Sequence, residues 1–241
     1  MAAAGRVLAA CLEELTVAAR PGITTQELDE LAEAFIREHG GEPSFKGYRG
    51  FPGSICASPN DMVVHGIPGA YRVRDGDLLS IDVGVTLDGF VTDSAVTVAV
   101  GDVDDDAKRL LHTTRDSLEA AIRQCRQGRR LGDVSHAVQE VVERAGFNVV
   151  RSLVGHGVGR EMHEDPQIPN YGEPGRGPRL QAGMVLAIEP MVNMGDHEVV
   201  VAPDGWAIHT ADHSLSAHFE HTVAITKRGP RVLTRRPSEG R

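Results

Sequence analysis

Hydrophobic residues recur at helical spacing at the start of this chain. Val7, Leu8, Cys11, Leu12 and Leu15 mark one face, and the run ends near Arg20, before Pro21-Gly22. Thr24 and Glu27 have capping-box spacing, so a second helix is expected to about His39, stopped by Gly40-Gly41. Residues 42–70 are dense in Gly, Pro, Ser and aromatic side chains and read as loops with short strands. The period then changes. LLSIDVGV and FVTDSAVTVAV are β-branched runs flanking Leu87-Asp88-Gly89, which is a hairpin signal. A helical stripe runs from Leu110 to Cys125, and a shorter helix is expected from about Asp133 to Ala145. GHGVG and HEDP read as loops, and 174–178 as a surface loop. Strands are expected in MVLAIEP, EVVVAPDGWAIHT, SAHFEHTVAIT and RVLT. Residues 235–241 are polar and read as a flexible tail.

Helices and a hairpin come first, then helices and strands again. That order predicts an α+β fold in one domain, 1–241, with a curved antiparallel sheet and helices on its outer face. Two comparable halves are expected, about 1–125 and 126–234. The length of 241 residues and a hydrophobic content of 41% suffice for a sizeable core. The net charge is -9 and no Lys/Arg cluster stands out, which argues against direct nucleic-acid binding. The acidic run Asp102 to Asp106 reads as a solvated loop and helix start. Cys11, Cys56 and Cys125 lack CxxC spacing, which fits a reducing compartment with no disulfide framework. No apolar run has transmembrane length, and Arg6, Glu13 and Glu14 make the first segment an amphipathic helix rather than a signal peptide. A cytoplasmic protein without a membrane partner is expected.

The candidate chemistry is metal chemistry. Asp82 and Asp93 lie in IDVGVTLDGFVTD, His156 in GHGVG, Glu189 in AIEPMV and Glu220 in HFEHT. Two Asp, one imidazole and two Glu suit a pair of hard or borderline divalent ions better than one structural zinc. Two such ions can hold and deprotonate a water, so the chain reads as a metal-dependent hydrolase. The hairpin offers a geometric test. A two-residue Asp88-Gly89 loop pairs Leu87 with Phe90 and sets Asp82 opposite Ala95, with Asp93 diagonal to Asp82 on the same face. Diagonal neighbours lie roughly 7–8 Å apart, within reach of two ions spaced about 3.5–4 Å. A three-residue loop without a bulge would put the two on opposite faces. Asp88 reads as a turn residue. Glu189 and Glu220, each taken singly, read as readily as edge-strand glutamates. Among the histidines, His39, His112, His136, His197 and His209 read as structural or exposed.

Taken in order, VVHGIP, IDVGVTLDGFVTDSA, GHGVGREMHEDPQIPNY, MVLAIEPMV and SLSAHFEHTVAIT resemble the type I methionine aminopeptidases over nearly the whole chain. The resemblance implies the pita-bread fold, with two pseudo-symmetric halves around a dinuclear metal site. It implies that Asp93 and Glu220 bridge both ions, that Asp82 binds one, and that His156 with Glu189 binds the other. The ions would be Co, Mn, Fe or Zn. Glu189 would also serve as general base, with His65 and His163 as the substrate-facing catalytic histidines. Phe45, Tyr48, Phe51, Cys56, Met162 and Trp206 match the methionine pocket. Many relatives carry a cysteine at position 45 and an aromatic at 162, so the pocket wall departs from the family pattern. The implied substrates are nascent polypeptide N-termini with a small second residue, met by a monomer and at the ribosome. Met1 falls later than the family's usual start, and no long insert of the type II class is present in the second half.

Two other readings remain. A proline-directed peptidase of the same fold would carry an extra N-terminal domain that this length cannot hold. A non-catalytic binding protein of the same fold would usually have lost ligands that are all present here.

Overall fold

Four helices bury the faces that their apolar stripes mark. The computed structural model describes residues 1–240. Helix α1 (Ala2–Ala18) buries Leu8, Cys11, Leu12 and Leu15. Gly5 faces the C-terminal strand so closely that a methyl there would sit 2.2 Å from the Leu233 carbonyl oxygen. Helix α2 (Thr25–Glu38) starts at the expected capping box. The Thr24 hydroxyl accepts from Glu27 N at 3.1 Å, and Glu27 Oε2 accepts from Thr24 N at 2.7 Å. Helix α3 (Asp105–Gln124) begins earlier than its apolar stripe, because Asp104 caps it by accepting from Ala107 N at 2.7 Å. Helix α4 (Leu131–Arg144) lies close to its expected bounds. Among the described residues no helix is long and apolar enough to cross a membrane.

Every strand pair is antiparallel. One sheet is built around the hairpin Leu78–Leu87 and Phe90–Ala99, with Ile55–Pro59 and Glu42–Pro43 alongside. A five-stranded sheet runs Gly229–Val232, His221–Thr226, Val185–Ile188, Val154–Gly157, Glu164–Pro169. Two three-stranded sheets complete the set. Helices α1 and α2 pack with the hairpin half, and α3 packs chiefly on α4. The boundary expected near residue 125 therefore falls after a helix that keeps company with the second half. The α+β class and the antiparallel two-halved arrangement are as expected.

Two expectations need correction. GHGVG and HEDP are strand over most of their length: Val154–Gly157 pairs with Glu164–Pro169, with Gly155 opposite Ile168 and Gly157 opposite Glu164. The glycines conceal the strand because they serve close approach. A Cβ on Gly155 would lie 2.5 Å from Ala187 O, and one on Gly157 would lie 2.3 Å from Asp165 O. Residues 235–240 of the expected tail are docked rather than loose, and Arg241 lies outside the described residues. Arg236 is buried and pairs with Glu239 at 2.7 Å, whose other oxygen lies 3.4 Å from His221 Nε2.

Candidate metal centre

The hairpin delivers the first two carboxylates. Asp88 (φ 53°) and Gly89 (φ 70°) both take left-handed backbone, as a two-residue primed turn requires. The register follows from that turn: Leu87 faces Phe90, Asp82 faces Ala95, and Asp93 faces Gly84. Asp82 and Asp93 are therefore diagonal on one face, as the two-residue turn predicts.

The second half brings three ligand candidates from three segments. His156 lies on Val154–Gly157, opposite Ala187. Glu189 directly follows the strand that contains Ala187 and precedes Pro190. Glu220 occupies a break between Ser216–His218 and His221–Thr226. The break has a cause: Glu220 N donates to Ala95 O on the hairpin at 3.0 Å rather than to a strand of its own half. Three hydroxyls extend this stitch. Ser94 Oγ donates to Glu220 O at 2.6 Å. Thr222 Oγ1 accepts from Asp93 N at 2.9 Å and donates to Asp93 O at 2.7 Å. Thr97 Oγ1 donates to His218 O at 2.8 Å. The two halves are thus locked together at the residues that carry the acids.

Burial and crowding give the site its charge problem. One ligand atom each from Asp93, His156 and Glu220 lie within 4.8 Å of one another. His156 Nδ1 donates to the Gly157 carbonyl at 2.9 Å, which leaves the Nε2 lone pair facing the carboxylates. Nε2 lies 3.5 Å from Glu189 Oε1 and 3.9 Å from Asp93 Oδ2. Burial pushes the His156 imidazole below its ordinary range, so it does not supply a cation itself. Buried Asp82 Oδ1, Asp93 Oδ1 and Glu220 Oε1 have no hydrogen-bond partner. Burial raises Asp93 to about 7. Burial, then the neighbouring acids, pushes Asp82, Glu189 and Glu220 well above the usual carboxylate range. Acceptors that face acceptors in a buried site need cations between them. An oxygen-rich set with one imidazole is chemically right for divalent ions.

These five residues line one cavity of about 280 Å³, together with His65, His163, Tyr48, Phe51, Cys56 and Trp206. Phe45 and Met162 line it as well. All of the site residues expected from the sequence therefore come together. His163 sits at the mouth, its Nδ1 2.9 Å from the Tyr48 hydroxyl and its ring 4.2 Å from that of His156. Partial burial, then His156, Arg49 and His65, pushes it down to about 4. His65 has left-handed backbone (φ 61°), and burial lowers its imidazole too. Both rings are neutral at pH 7. Phe51 and Trp206 meet edge to face at 5.1 Å. The Cys56 thiol, opposite Asp82 in the register, is pushed well up by burial and then by the Asp82 charge, so it is an inert wall residue. His39, His136, His197 and His209 hold hydrogen-bond or ion-pair positions away from the cavity.

The sequence reading missed His218, which is buried with neither ring nitrogen partnered and has Nε2 4.0 Å from Glu189 Oε2. Its period-two spacing from Glu220 was the available signal. It also missed the stitching hydroxyls of Ser94, Thr97 and Thr222, each next to or near a ligand candidate in sequence.

The match to the description of metallopeptidase family M24 spans residues 1–227. The chain belongs to that family. It is 54% identical over 235 residues to methionine aminopeptidase 1 of Bacillus subtilis, covering 98% of this chain and 95% of the relative. It is 53% identical to a methionine aminopeptidase of Clostridium perfringens, covering 97% and 94%. The solved methionine aminopeptidase of Thermotoga maritima superposes with a TM-score of 0.96 at 50% identity, covering 98% and 95%. The M24 fold is shared more widely: a prolidase of Pyrococcus horikoshii gives a TM-score of 0.75 at 21% identity, with 60% of that longer chain covered.

Proposed function

We propose that this chain removes the N-terminal methionine from polypeptides whose second residue is small, using two divalent ions held by Asp82, Asp93, His156, Glu189 and Glu220. The observation that carries this reading is the meeting of five unpaired or acceptor-facing ligand candidates from both halves beside an apolar cavity. The identity of about half to named methionine aminopeptidases along nearly the whole chain supports the same activity.

When bound, divalent ions supply Lewis acidity and lower the pKa of water. The protein's own contribution is positioning and proton handling. Asp93 lies on the hairpin and Glu220 in the strand break that the Ser94 and Thr222 bonds tie to it, so the two would hold the ions where the halves meet. Glu189 takes the proton from the attacking water, because its carboxylate borders both the cavity and His156. His163 and His65, neutral at pH 7, donate to the scissile carbonyl oxygen and bind the substrate amide. The Tyr48 hydroxyl lies 2.9 Å from His163 Nδ1, and donation by the hydroxyl would leave the ring proton on Nε2, the tautomer needed for a donor. The methionine side chain enters among Tyr48, Phe51, Cys56 and Trp206, where sulfur–aromatic contact favours a thioether. Nascent chains in the cytoplasm, met by a monomer near the ribosome, fit this chemistry, and Co, Mn, Fe or Zn fit the donor set.

Metal-stripped protein, given a Met-Ala-Ser peptide and Mn, Co, Fe(II) or Zn one at a time, should release free methionine only with metal. No release from folded protein with any of the four would overturn the proposal.

A further inference from the structure

We infer that Gly84, which does not line the cavity, sets the depth of the side-chain pocket by giving Phe45 and Met162 room to stand back from it. The inference rests on reading the cavity as the seat of the substrate's first side chain. Gly84 lies two residues after Asp82 on the same strand, so it presents the same, inward face of the sheet. What stands over it is not backbone. A Cβ built on Gly84 would meet Phe45 Cε1 at 2.7 Å, Met162 Cε at 3.0 Å and Ser44 Cβ at 3.0 Å. Phe45 and Met162 are both buried and both line the cavity. They form one apolar cluster with Phe51 and Cys56, against which Tyr48 and Trp206 pack.

The ring and the thioether thus occupy the layer between the strand and the cavity. A side chain at position 84 must push that layer, and the open direction is the cavity. Ser44 blocks sideways retreat: its backbone N donates to Gly84 O at 2.9 Å and its hydroxyl bonds Thr86 Oγ1 at 2.7 Å. Met162 ends in a flexible thioether and yields readily, whereas the Phe45 ring must turn as a whole. A bulky ring at 45 and the missing side chain at 84 are therefore two parts of one wall.

The test uses the metal-loaded enzyme and peptides that differ only in their first residue. Gly84→Ala should raise KM for Met-Ala-Ser about 10-fold or more, the effect of about one methylene group in a pocket, while kcat and bound metal stay near those of the parent. The preference for methionine over the shorter norvaline should fall by a similar factor. Adding Phe45→Leu to Gly84→Ala should restore KM, because the smaller side chain returns the space. Trp206→Ala is the control for the pocket itself. If it raises KM while Gly84→Ala does not, the inference fails and the pocket reading stands. If neither changes KM, the pocket reading fails and takes the inference with it. If Gly84→Ala lowers kcat or metal content with KM intact, Gly84 serves the Asp82–Asp93 hairpin instead, and the inference is wrong. Should Gly84→Ala fail to fold, Phe45→Leu alone decides: it should open the wall and raise kcat/KM for an ethionine peptide relative to methionine about 10-fold. No gain would overturn the proposal.

Discussion

The two halves of the metal centre are built in different ways. The first half supplies Asp82 and Asp93 from one hairpin, where an eleven-residue step along the sequence and one turn type fix their relation. The second half supplies His156, Glu189 and Glu220 from three separate strand ends, each placed by contacts that no local pattern encodes. A hairpin carries its own ruler. The second half borrows one from the first, through Ala95, Ser94, Asp93 and Thr97. The hairpin should therefore behave as the template and the second half as the part that docks on it.

The largest test of this contrast is the loss of a ligand from each side. Asp93→Asn and Glu220→Gln should each cost about 10³-fold or more in kcat/KM, since a metal ion supplies several kcal/mol of transition-state stabilisation. Metal analysis should find fewer than two ions bound in each variant. Near-normal turnover with full metal content in Asp93→Asn would contradict the bridging assignment. The next test breaks the stitch without touching a ligand. Thr222→Val removes both bonds to the Asp93 backbone, and Ser94→Ala frees Glu220 O. Each should weaken metal binding about 10–100-fold, the usual cost of losing a partner that orients ligands, while the helical circular dichroism signal holds. Metal affinity unchanged in both would mean that the second half does not depend on the hairpin for its placement.

The same contrast explains what could be read from the sequence. The helices, the hairpin and its register were legible, because capping residues, apolar period and a two-residue Asp-Gly turn act locally. Asp82 and Asp93 could be placed on one face from the turn alone. GHGVG could not be read as a strand, since its glycines answer to Ala187 O and Asp165 O, which lie far along the chain. Glu220 is indistinguishable in sequence from an edge-strand glutamate, because the break that takes it out of the strand is made by its bond to Ala95 O. Its role and those of His156 and Glu189 came from family resemblance. Arg236 and Glu239 read as tail because His221, which Glu239 meets, is distant in sequence. His218 was legible only as an alternation that nothing singled out.

A smaller and more diagnostic effect concerns pH in metal-stripped protein. Burial raises Asp93 to about 7, against an ordinary aspartate value near ~3.9. Between those values the folded state holds a proton that the unfolded state has released. Each step upward in pH therefore favours unfolding, and the stability this carboxyl contributes is full below about 4 and lost as pH rises through about 7. Asp82, Glu189 and Glu220, also pushed well above the usual carboxylate range, act in the same direction. The imidazoles of the site act in the opposite sense. His163 at about 4, His218 at about 3, and lowered His65 and His156 stay neutral where the unfolded chain would bind protons, so they add stability as pH rises through the unfolded imidazole value of about 6.5. Only from ~7.5, a unit above that value, are they silent in both states, which leaves the carboxylates alone. The melting temperature of chelator-treated protein should therefore fall from about pH 7.5 upward, where the imidazoles no longer offset the carboxylates. Manganese should flatten or reverse the fall, because ions between the carboxylates favour the ionised form that burial opposes. Thr222→Val should show the same slope without metal but a smaller rescue with it, since the acids stay buried while their alignment on the hairpin is lost. A stripped protein whose melting temperature is flat across this window would mean that the acids are not held together until the ions arrive, and the template role would then pass from the hairpin to the metal.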